Sequence, residues 1–406
     1  MYLLSIVIPT RNRQQYALES VKQILNVIDD RVQIVITDNS DENSLEKEIK
    51  QLGSPQIKYL FIDHRIPGVD NYAKGIELSD AKYICCIGDD DGILGCIVDI
   101  VEWMESNGVS ALKPGVQAAY ICPGATKDYT NGCMGLGDIS CHVTVVDPRD
   151  ELAKFLKSGC IDFPNAKLVK AYHGIVRKDQ FNKIYRKTNR YCGGLSPDIY
   201  LSVALSAETD RLLCIDIPLT IFGACRSSTT ADSFNKINTG KLEDAPHFVG
   251  QPYEWSTLIP RYYSGANIWA DSALHALTDM NCDDYLQMFA LDIFTAYSLH
   301  YYKSFKKEIL ENYEKNHGNM DALNKQIKKE AVSYYVAKFK EIVRGNKALI
   351  IAYRGLKGFI KKTSGSEAFI KTGVYDIGQA ERLTSDVVKK YCQETILNLQ
   401  RLKDEG

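Results

Sequence analysis

The sequence predicts an α/β fold with a mainly parallel sheet, and two features of its first hundred residues support this. Short runs rich in Ile, Val and Leu alternate with segments in which apolar residues recur at helical spacing. The apolar runs are nearly continuous, as in strands that helices cover on both faces. Repeated strand–helix–strand units of this kind build parallel sheets.

The predicted elements alternate strictly as far as the fourth strand. Strands are predicted at 3–8, 32–37, 57–62 and 81–87, and helices at 13–28, 45–52 and 69–79. Ligands of such sheets bind beyond the carboxyl ends of the strands. Asp38 and Asp89 each follow a predicted strand, so both carboxylates should reach that edge.

The composition changes twice along the chain and indicates three regions. Residues 1–230 hold the sheet-forming segments and are predicted to form one α/β domain. Residues 226–254 contain few large apolar residues and many turn formers, which indicates a loop or linker, and its predicted bounds are 231–261. Residues 262–406 show i, i+3 and i+4 apolar spacing and are predicted to form a mainly helical C-terminal region.

Length and composition are those of an ordinary globular protein. The 406 residues are enough for two or three packing units, and a formal net charge of -2 gives no general attraction for nucleic acid. The twelve cysteines have no Cys-x-x-Cys spacing for a metal and are expected to be reduced. No apolar run approaches the ~20 residues of a membrane span, so the expected location is the cytoplasm.

Three consecutive carboxylates, Asp89 to Asp91, follow the fourth strand in the segment ICCIGDDDG. They repel one another, so a cation or hydrogen-bond donors must offset the repulsion. Hard divalent ions such as Mg²⁺ or Mn²⁺ prefer oxygen ligands, and a metal held there can neutralise the diphosphate of a nucleotide leaving group. The alternative is that Asp-Asp-Asp-Gly starts a turn and caps the next helix.

Four segments stand in a recognisable order along the chain. They are SIVIPTRNR (5–13), VITDNSDEN (35–43), GVDNYAKGIELSDAKYICCIGDDDG (68–92) and GGLSPDIYLSVAL (193–205). Together they resemble glycosyltransferase family 2, most closely the bacterial branch that builds O-antigen or capsule repeat units. The resemblance implies the GT-A fold over residues 1–230 and an inverting, metal-dependent sugar transfer.

The resemblance also implies roles for residues on the donor side. Pro9, Thr10 and Asp38 would line the pocket of the nucleotide base, where a carboxylate can accept the imide proton of uracil or thymine. Asp-Asn-Ser is also a common turn and N-cap sequence, which is the alternative for Asp38. Asn71 would help to shape the donor site. Arg226 would meet the donor phosphates, with a solvated loop arginine as the alternative.

Within the acidic motif, the resemblance implies a division of labour. Asp89 would reach the ribose or a metal-bound water, and Asp90 would be the direct metal ligand. Asp91 is the next candidate ligand. Gly88 stands where many family members have the first acid of Asp-x-Asp, so which of the three carboxylates ligates the metal stays open.

By the same resemblance, Asp198 in LSPDIYL matches the position of the catalytic base. An inverting displacement requires such a base, because the acceptor hydroxyl must lose its proton as the new bond forms. Many relatives have Glu-Asp at this site, and Ser-Pro-Asp departs from that form. The alternative role is a helix N-cap, since Ser196 and Pro197 precede an apolar helical run.

A basic amphipathic stretch lies in the predicted helical region. Residues 338–362 contain eight Lys or Arg residues against one acid, Glu341, interleaved with Ile, Leu, Phe and Tyr. Each basic residue near an anionic lipid surface contributes roughly 1 kcal/mol, so this segment is predicted to contact the inner face of the cell membrane. The alternative is a basic helical face that is solvated or buried in a homo-oligomer.

These observations predict an enzyme that transfers one sugar from a nucleotide-sugar donor, expected to be UDP-linked. The acceptor would be a saccharide or lipid-linked saccharide in bacterial surface polysaccharide synthesis. A catalytically inactive nucleotide-binding or scaffold subunit of a polysaccharide assembly complex would share the same motifs. A nucleotidyltransferase is a further alternative, but IPTRNRQQY lacks the glycines of its basic phosphate loop.

Overall fold

A computed structural model describes residues 1–228, 239–242, 253–345 and 368–404 of the chain. The strands, in chain order, are β1 (Tyr2–Thr10), β2 (Val32–Asp38), β3 (Ile57–Phe61), β4 (Ala81–Cys86), β5 (Gly92–Ile93), β6 (Ala111–Pro114), β7 (Ala118–Ile121), β8 (Cys133–Leu136), β9 (Val143–Val146), β10 (Ile175–Arg177), β11 (Leu212–Ile215), β12 (Thr220–Ala224), β13 (Thr239–Gly240), β14 (Tyr263–Ser264) and β15 (Phe369–Thr372).

The first helices in the described part of the chain alternate with strands β1 to β4. The helices, in chain order, are α1 (Gln14–Leu25), α2 (Leu45–Leu52), α3 (Gly68–Leu78), α4 (Ile97–Ser106), α5 (Pro148–Lys157), α6 (Lys178–Thr188), α7 (Pro197–Glu208), α8 (Gly265–Asp279), α9 (Asp283–Leu286), α10 (Leu291–Tyr301), α11 (Lys306–Lys315), α12 (Met320–Gly345) and α13 (Ile377–Asp404). A 3-10 turn at Lys303–Phe305 links α10 to α11.

The main sheet has eight strands in the order β3-β2-β1-β4-β10-β6-β11-β9. Its first four strands run parallel, and β10 is inserted antiparallel between β4 and β6. This mixed sheet, flanked by helices and followed by a helical region, confirms the predicted α/β fold class. The parallel half comes from the segments in which buried apolar runs alternate with helices.

Helices cover both faces of this sheet because alternate residues of each strand point to opposite sides. Ile6 and Ile8 of β1 belong to a buried cluster with α1, α2, α4 and α13. Val7 belongs to a second buried cluster with α3, α5, α6, α7 and α8. The strands are therefore apolar on both faces, as their continuous Ile and Val runs require.

The carboxyl ends of the parallel strands meet at one edge and position the candidate site there. The register pairs Thr10 at the end of β1 with Asp38 at the end of β2. On the other side of β1, Val7 pairs with Cys86, the last residue of β4. The loop that follows Cys86 carries the three consecutive carboxylates, so it emerges beside Thr10.

A second sheet joins the two ends of the chain. Its strands have the order β15-β8-β7-β12-β5, and β15 pairs antiparallel with β8. Helix α13, which follows β15, contacts α1, α4 and strands β5, β7, β9 and β12. Residues 369–404 thus pack against the first domain, whereas the sequence predicted that they belong to a C-terminal region of residues 262–406.

The rest of the C-terminal region is helical, as predicted. Helix α8 packs against α7 of the first domain, and α10 packs against α11 and α12. Within the described ranges no helix is both long enough and apolar enough to cross a bilayer. Of the predicted membrane segment, residues 346–362 lie outside the described part of the chain.

Glycine allows α3 to lie close to the main sheet. A Cβ atom added to Gly75 would lie 2.3 Å from Val7 Cγ1 in the centre of β1. Gly68, at the first position of the same helix, has open space around the equivalent position. The packing of α3 beneath the site therefore depends on Gly75.

We predict that Gly75→Ala lowers the free energy of unfolding by about 1–3 kcal/mol, because the added methyl group overpacks the contact with Val7. Gly68→Ala on the same helix serves as the control and should leave the unfolding free energy unchanged or slightly raised. Chemical denaturation of both variants measures the difference. Equal effects of the two substitutions would contradict the close approach.

Candidate active site

The acidic loop between β4 and β5 lies at the carboxyl edge of the main sheet, and all three of its carboxylates are nearly inaccessible. The exposed fractions are 3% for Asp89, 8% for Asp90 and 0% for Asp91. Three adjacent charges in so little water need specific partners. The partners differ for each carboxylate, and they separate the three residues by role.

The carboxylate of Asp91 is held entirely by the protein. Its Oδ2 accepts hydrogen bonds from the Gly88 backbone N–H at 2.5 Å and the Tyr172 hydroxyl at 2.8 Å, and it lies 3.1 Å from His173 Nε2. Its Oδ1 accepts from the Gly223 N–H at 2.6 Å. Burial raises the pKa of Asp91, but His173 and these donors outweigh it and hold the pKa below its ordinary value.

The backbone of His173, whose ring contacts Asp91, has a conformation that residues other than glycine rarely adopt. Its φ of 59° lies in the left-handed region, which is unfavourable for a residue with a Cβ. Its ring is held on both sides, because Nδ1 lies 2.8 Å from Thr220 Oγ1 while Nε2 faces Asp91. The backbone strain is thus offset by the contacts that tie β12 to the acidic loop.

Asp89 and Asp90 share a single cation, the guanidinium of Arg13. Arg13 Nη2 lies 2.7 Å from Asp89 Oδ1 and 2.6 Å from Asp90 Oδ1. The second oxygens are fixed separately, since Asp89 Oδ2 accepts from the Thr10 hydroxyl at 2.6 Å and Asp90 Oδ2 accepts from the Cys225 N–H at 2.8 Å. Burial raises the pKa of Asp89 to about 7, against the opposing charge of Arg13.

The donor set of this loop fits a divalent ion. Two carboxylate oxygens face one cation position, and Mg²⁺ typically takes one or two carboxylates and completes its shell with water and substrate phosphate. Among the described residues, no group of three or more His, Cys, Asp or Glu side chains forms a fuller ligand set. Asp89 and Asp90 therefore offer a partial site of the kind that a nucleotide diphosphate would complete.

On the donor side, Asn71 provides a buried acceptor without a partner. Its Nδ2 donates to the Thr10 carbonyl at 3.2 Å, whereas its Oδ1 has no hydrogen-bond partner. The residue is 5% exposed, and the Thr37 hydroxyl donates to its carbonyl oxygen. Pro9 precedes Thr10 on β1 and pairs with Thr37 in the register of β2. An unpaired buried amide oxygen beside the loop is suited to a ligand donor.

Asp38 is fully buried at the end of β2, where Oδ1 accepts from the Ser40 N–H at 2.9 Å and Oδ2 accepts from the Tyr59 hydroxyl at 2.8 Å. The bond to Ser40 is the turn contact that the Asp-Asn-Ser sequence favours. Each oxygen keeps one further lone pair for another donor. The role of Asp38 in base recognition stays a prediction.

Asp198 lies in the first turn of α7, directly after the N-cap residue Ser196 and Pro197. Its Oδ1 accepts from the Ser196 hydroxyl and from the Ile199 N–H, the latter at 2.9 Å. The N-cap position itself belongs to Ser196, and the two bonds of Asp198 leave its Oδ2 for another proton donor. Burial raises the pKa of the Tyr172 hydroxyl, which binds Asp91, and the charges of Asp91, Asp90 and, least, Asp198 add to the shift.

Lys170 is a basic residue of the described structure that the sequence did not single out. Its Nζ lies 4.2 Å from the centre of the Phe163 ring. Burial lowers the pKa of Lys170 to about 8, with a smaller contribution from Lys113, while the charge of Asp198 opposes the shift.

Arg226 follows Cys225, whose N–H holds Asp90. Its side chain is exposed, and Nε donates to the Gly124 carbonyl at 3.3 Å. The position is next to the acidic loop, while the observed contact is that of a surface arginine. The predicted phosphate contact of Arg226 stays a prediction.

Sequence reasoning missed Arg13 and Tyr172 in this arrangement, and it interpreted His173 only as a buried packing or hydrogen-bonding residue. Arg13 ends the quoted segment SIVIPTRNR and follows β1 at the edge to which the carboxylates were assigned, so its position was a usable signal. Tyr172 and His173 lie some eighty residues beyond the acidic loop in an irregular segment. Nothing in their local sequence points to Asp91.

A cavity in the described part of the chain lies away from these residues. It has a volume of about 300 Å³ and lies between α13 and the start of α4, where Cys96 and Cys392 line it. None of the predicted site residues borders it. The candidate site is therefore identified by its polar contacts and its place at the sheet edge.

We predict that Asp91→Ala lowers the free energy of unfolding by about 3–5 kcal/mol, because it leaves buried hydrogen-bond donors and His173 without their partner. Asp30→Ala, at an exposed turn before β2, should change it by less than about 0.5 kcal/mol. Denaturant unfolding of the two variants gives both values. A loss below about 1 kcal/mol for Asp91→Ala would contradict its role as the anchor of the loop.

Comparison with known proteins agrees with the motifs. Residues 5–142 match the profile of glycosyl transferase family 2. A colanic acid biosynthesis glycosyl transferase of Escherichia coli K12, WcaA, is 31% identical over 91 residues, which are 22% of this chain and 33% of that protein. The chain thus matches about a third of the length of this curated relative.

Two crystal structures of S. aureus TarS residues 1–349, one of them in complex with UDP-GlcNAc, share 12% identity with the chain at TM-scores of 0.40 and 0.42. In both, the match covers 77% of this chain and 89% of that chain. At these values the likeness carries no argument about ligands. The profile match identifies residues 5–142, which contain the parallel strands and the acidic loop, as a glycosyl transferase family 2 region, as the motifs predicted.

Proposed function

We propose that the protein is an inverting glycosyltransferase that moves a single sugar from a nucleotide-sugar donor to a saccharide or lipid-linked saccharide acceptor. The proposed setting is the synthesis of a bacterial surface polysaccharide. The family profile over residues 5–142 supports the reaction class, and the relative from colanic acid biosynthesis supports the setting. The donor, the metal and the acceptor are argued below from the residues at the sheet edge.

The observation that supports this function best is the paired orientation of Asp89 and Asp90. Their Oδ1 atoms both lie within 2.7 Å of one guanidinium nitrogen, so a single cation position serves both carboxylates. A bound Mn²⁺ or Mg²⁺ would neutralise the charge that develops on the nucleoside diphosphate leaving group. Asp91 has its own donors, which favours Asp89 and Asp90 over Asp91 as the metal ligands.

The nucleotide is proposed to lie along the ends of β1 and β2. The unpartnered Oδ1 of Asn71 and the hydroxyl of Thr10 are polar groups at this edge, and Pro9 precedes Thr10 on β1. The second lone pairs of the Asp38 carboxylate suit the imide N–H of a pyrimidine such as uracil. UDP is therefore the proposed nucleotide, and Arg226 is proposed to meet its phosphates.

Asp198 is proposed to act as the general base. In an inverting displacement the acceptor oxygen attacks the anomeric carbon as the bond to the nucleoside diphosphate breaks on the opposite face. The acceptor hydroxyl proton passes to a carboxylate as the new C–O bond forms. The Oδ2 of Asp198 is the oxygen left over from its contacts in the first turn of α7, so it is the proposed proton acceptor.

The competing function is a catalytically inactive nucleotide-binding subunit of a polysaccharide assembly complex. The two contacts of Asp198 favour this alternative, because both are made to residues at the start of its own helix. Such a subunit would bind nucleotide and metal through the same loop and would transfer no sugar. Turnover, and not binding, separates the two functions.

Contact with the inner face of the cell membrane is proposed for the basic stretch that begins in α12. In the described part of that helix, Val332, Tyr335 and Val336 are exposed at i, i+3 and i+4 spacing, and Lys328 and Lys329 precede them on the exposed side. An apolar patch flanked by lysines suits an anionic lipid surface. A cytoplasmic enzyme with a lipid-linked acceptor would use such a surface.

We expect UDP to bind the purified protein more tightly than GDP, CDP or dTDP, and only when Mn²⁺ is present. Asp90→Asn should abolish this dependence, because one carboxylate of the cation position is lost. Asp30→Asn is the control, because it removes the same charge at an exposed turn away from the site. Isothermal calorimetry with each nucleotide, with and without Mn²⁺, measures these affinities.

Release of UDP from a set of UDP-sugars, in the presence of membrane lipid extract as the acceptor source, then tests transfer. Asp198→Asn should lower the rate of release about 10²–10⁴-fold while UDP affinity is retained. Nucleotide binding without release by the wild type would favour the inactive subunit. Full turnover in Asp198→Asn would exclude this residue as the base.

A further inference from the structure

Arg13 occupies an unusual position between the solvent and the acidic loop. It is the last residue before α1, and its backbone at φ -135° and ψ 35° lies outside the helical region. Its side chain is 21% exposed, whereas those of Asp89 and Asp90 are 4% and 6% exposed. The guanidinium therefore covers the two carboxylates on the side from which a ligand would reach them.

In its contact with Asp89 and Asp90, Arg13 acts as a single positive charge. One nitrogen, Nη2, meets an oxygen of each carboxylate, while arginine normally meets one carboxylate with two parallel hydrogen bonds. Both Nε and Nη2 are buried and lack a well-aligned hydrogen-bond acceptor. A small cation at the same point would balance the two carboxylate charges at least as well, because Nε and Nη2 of the guanidinium make no well-aligned hydrogen bond there.

The two carboxylates are oriented independently of Arg13. The Thr10 hydroxyl holds Asp89 through Oδ2, and the Cys225 N–H holds Asp90 through Oδ2. Rotation of either carboxylate would break these bonds, so the Oδ1 atoms keep facing the same point when the guanidinium moves. The cation position is thus built by residues other than the one that fills it.

We propose that Arg13 is a built-in counter-ion, which fills the cation position between Asp89 and Asp90 in the nucleotide-free protein and yields it to a divalent metal ion. The displaced guanidinium then pairs with the diphosphate of the donor. This inference rests on the proposed function, since it requires a metal-dependent nucleotide. It makes Arg13 a donor-binding residue that also prevents repulsion within the empty site.

Each step of this exchange follows from the charges of the groups involved and from the freedom of the Arg13 side chain to move. Without metal, two buried carboxylates need a positive charge, and Arg13 supplies it. The metal brings a charge of two to the same oxygens and repels the guanidinium. Arg13 can leave by rotation about its side-chain bonds, because its backbone is already non-helical and its side chain reaches solvent. A planar guanidinium then matches the geometry of phosphate oxygens.

The test is the affinity of Arg13→Gln for Mn²⁺ alone and for UDP at saturating Mn²⁺. We expect the variant to bind Mn²⁺ alone at least about tenfold more tightly than the wild type, because it lacks the competing charge. We expect it to bind UDP in saturating Mn²⁺ at least about tenfold more weakly, because the phosphate partner is gone. Electron paramagnetic resonance of free Mn²⁺ and calorimetry with UDP give the two constants.

Arg11→Gln is the matched control, because Arg11 lies two residues earlier and pairs with the exposed Asp41 at 2.6 Å. It should leave both constants unchanged. A purely structural Arg13 would weaken both affinities together, and that parallel loss in Arg13→Gln would overturn the exchange. Equal Mn²⁺ affinity in the wild type and the variant would overturn it as well.

Arg13→Lys keeps the positive charge and provides the test if Arg13→Gln does not fold. A lysine bridges two carboxylates less well, so the same opposite changes should occur at smaller amplitude. If the wild type binds Mn²⁺ and UDP while both variants lose affinity for both ligands, the exchange proposed for Arg13 is contradicted and the proposed function is not. A folded wild type that binds neither ligand contradicts the proposed function itself.

Discussion

The carboxylate of Asp91 is the interaction on which the candidate site depends. It joins the end of β4 to β12 through Gly223 and to the segment before β10 through Tyr172 and His173. These parts of the chain are separated by up to 132 residues in sequence. A buried charge with several donors is stable in this place and strongly destabilising if a partner is lost, so it fixes the loop in one conformation.

That anchor explains why the chain places three carboxylates in a row. The carboxylate of Asp91 accepts hydrogen bonds from protein groups such as the Gly88 N–H. One oxygen each of Asp89 and Asp90 contacts the same cation, the guanidinium of Arg13. The backbone N–H that orients Asp90 belongs to Cys225, just beyond the end of β12. The strand that Asp91 holds in place therefore supports the orientation of its neighbour. Asp91 thus has a structural role, and its contacts help to keep Asp89 and Asp90 oriented toward a shared cation.

The parallel half of the fold could be predicted from sequence because its signals are local. Runs of Ile and Val mark β1 to β4, and the helices between them carry their own periodicity. The insertion of β10 beside β4 and the pairing of β15 with β8 could not be predicted, since strands of three or four residues pair over long distances through register and packing. For the same reason, the return of α13 to the first domain had no signal in its periodicity.

The site was predictable to the level of the motif and no further. Position after β4 indicated that Asp89 to Asp91 reach the sheet edge, but their separate roles are set by donors at residues 10, 13, 172, 173, 223 and 225. The base assignment of Asp198 and the base-pocket assignment of Asp38 depend on ligands that orient those carboxylates, so they stay predictions.

The most direct test of this division of labour is a crystal structure of the protein with Mn²⁺ and UDP, with data collected for the anomalous signal of manganese. We expect one manganese peak in contact with Oδ1 of both Asp89 and Asp90, with Asp91 still bound to Gly223 and Tyr172. A peak in direct contact with Asp91, with those two bonds broken, would contradict it.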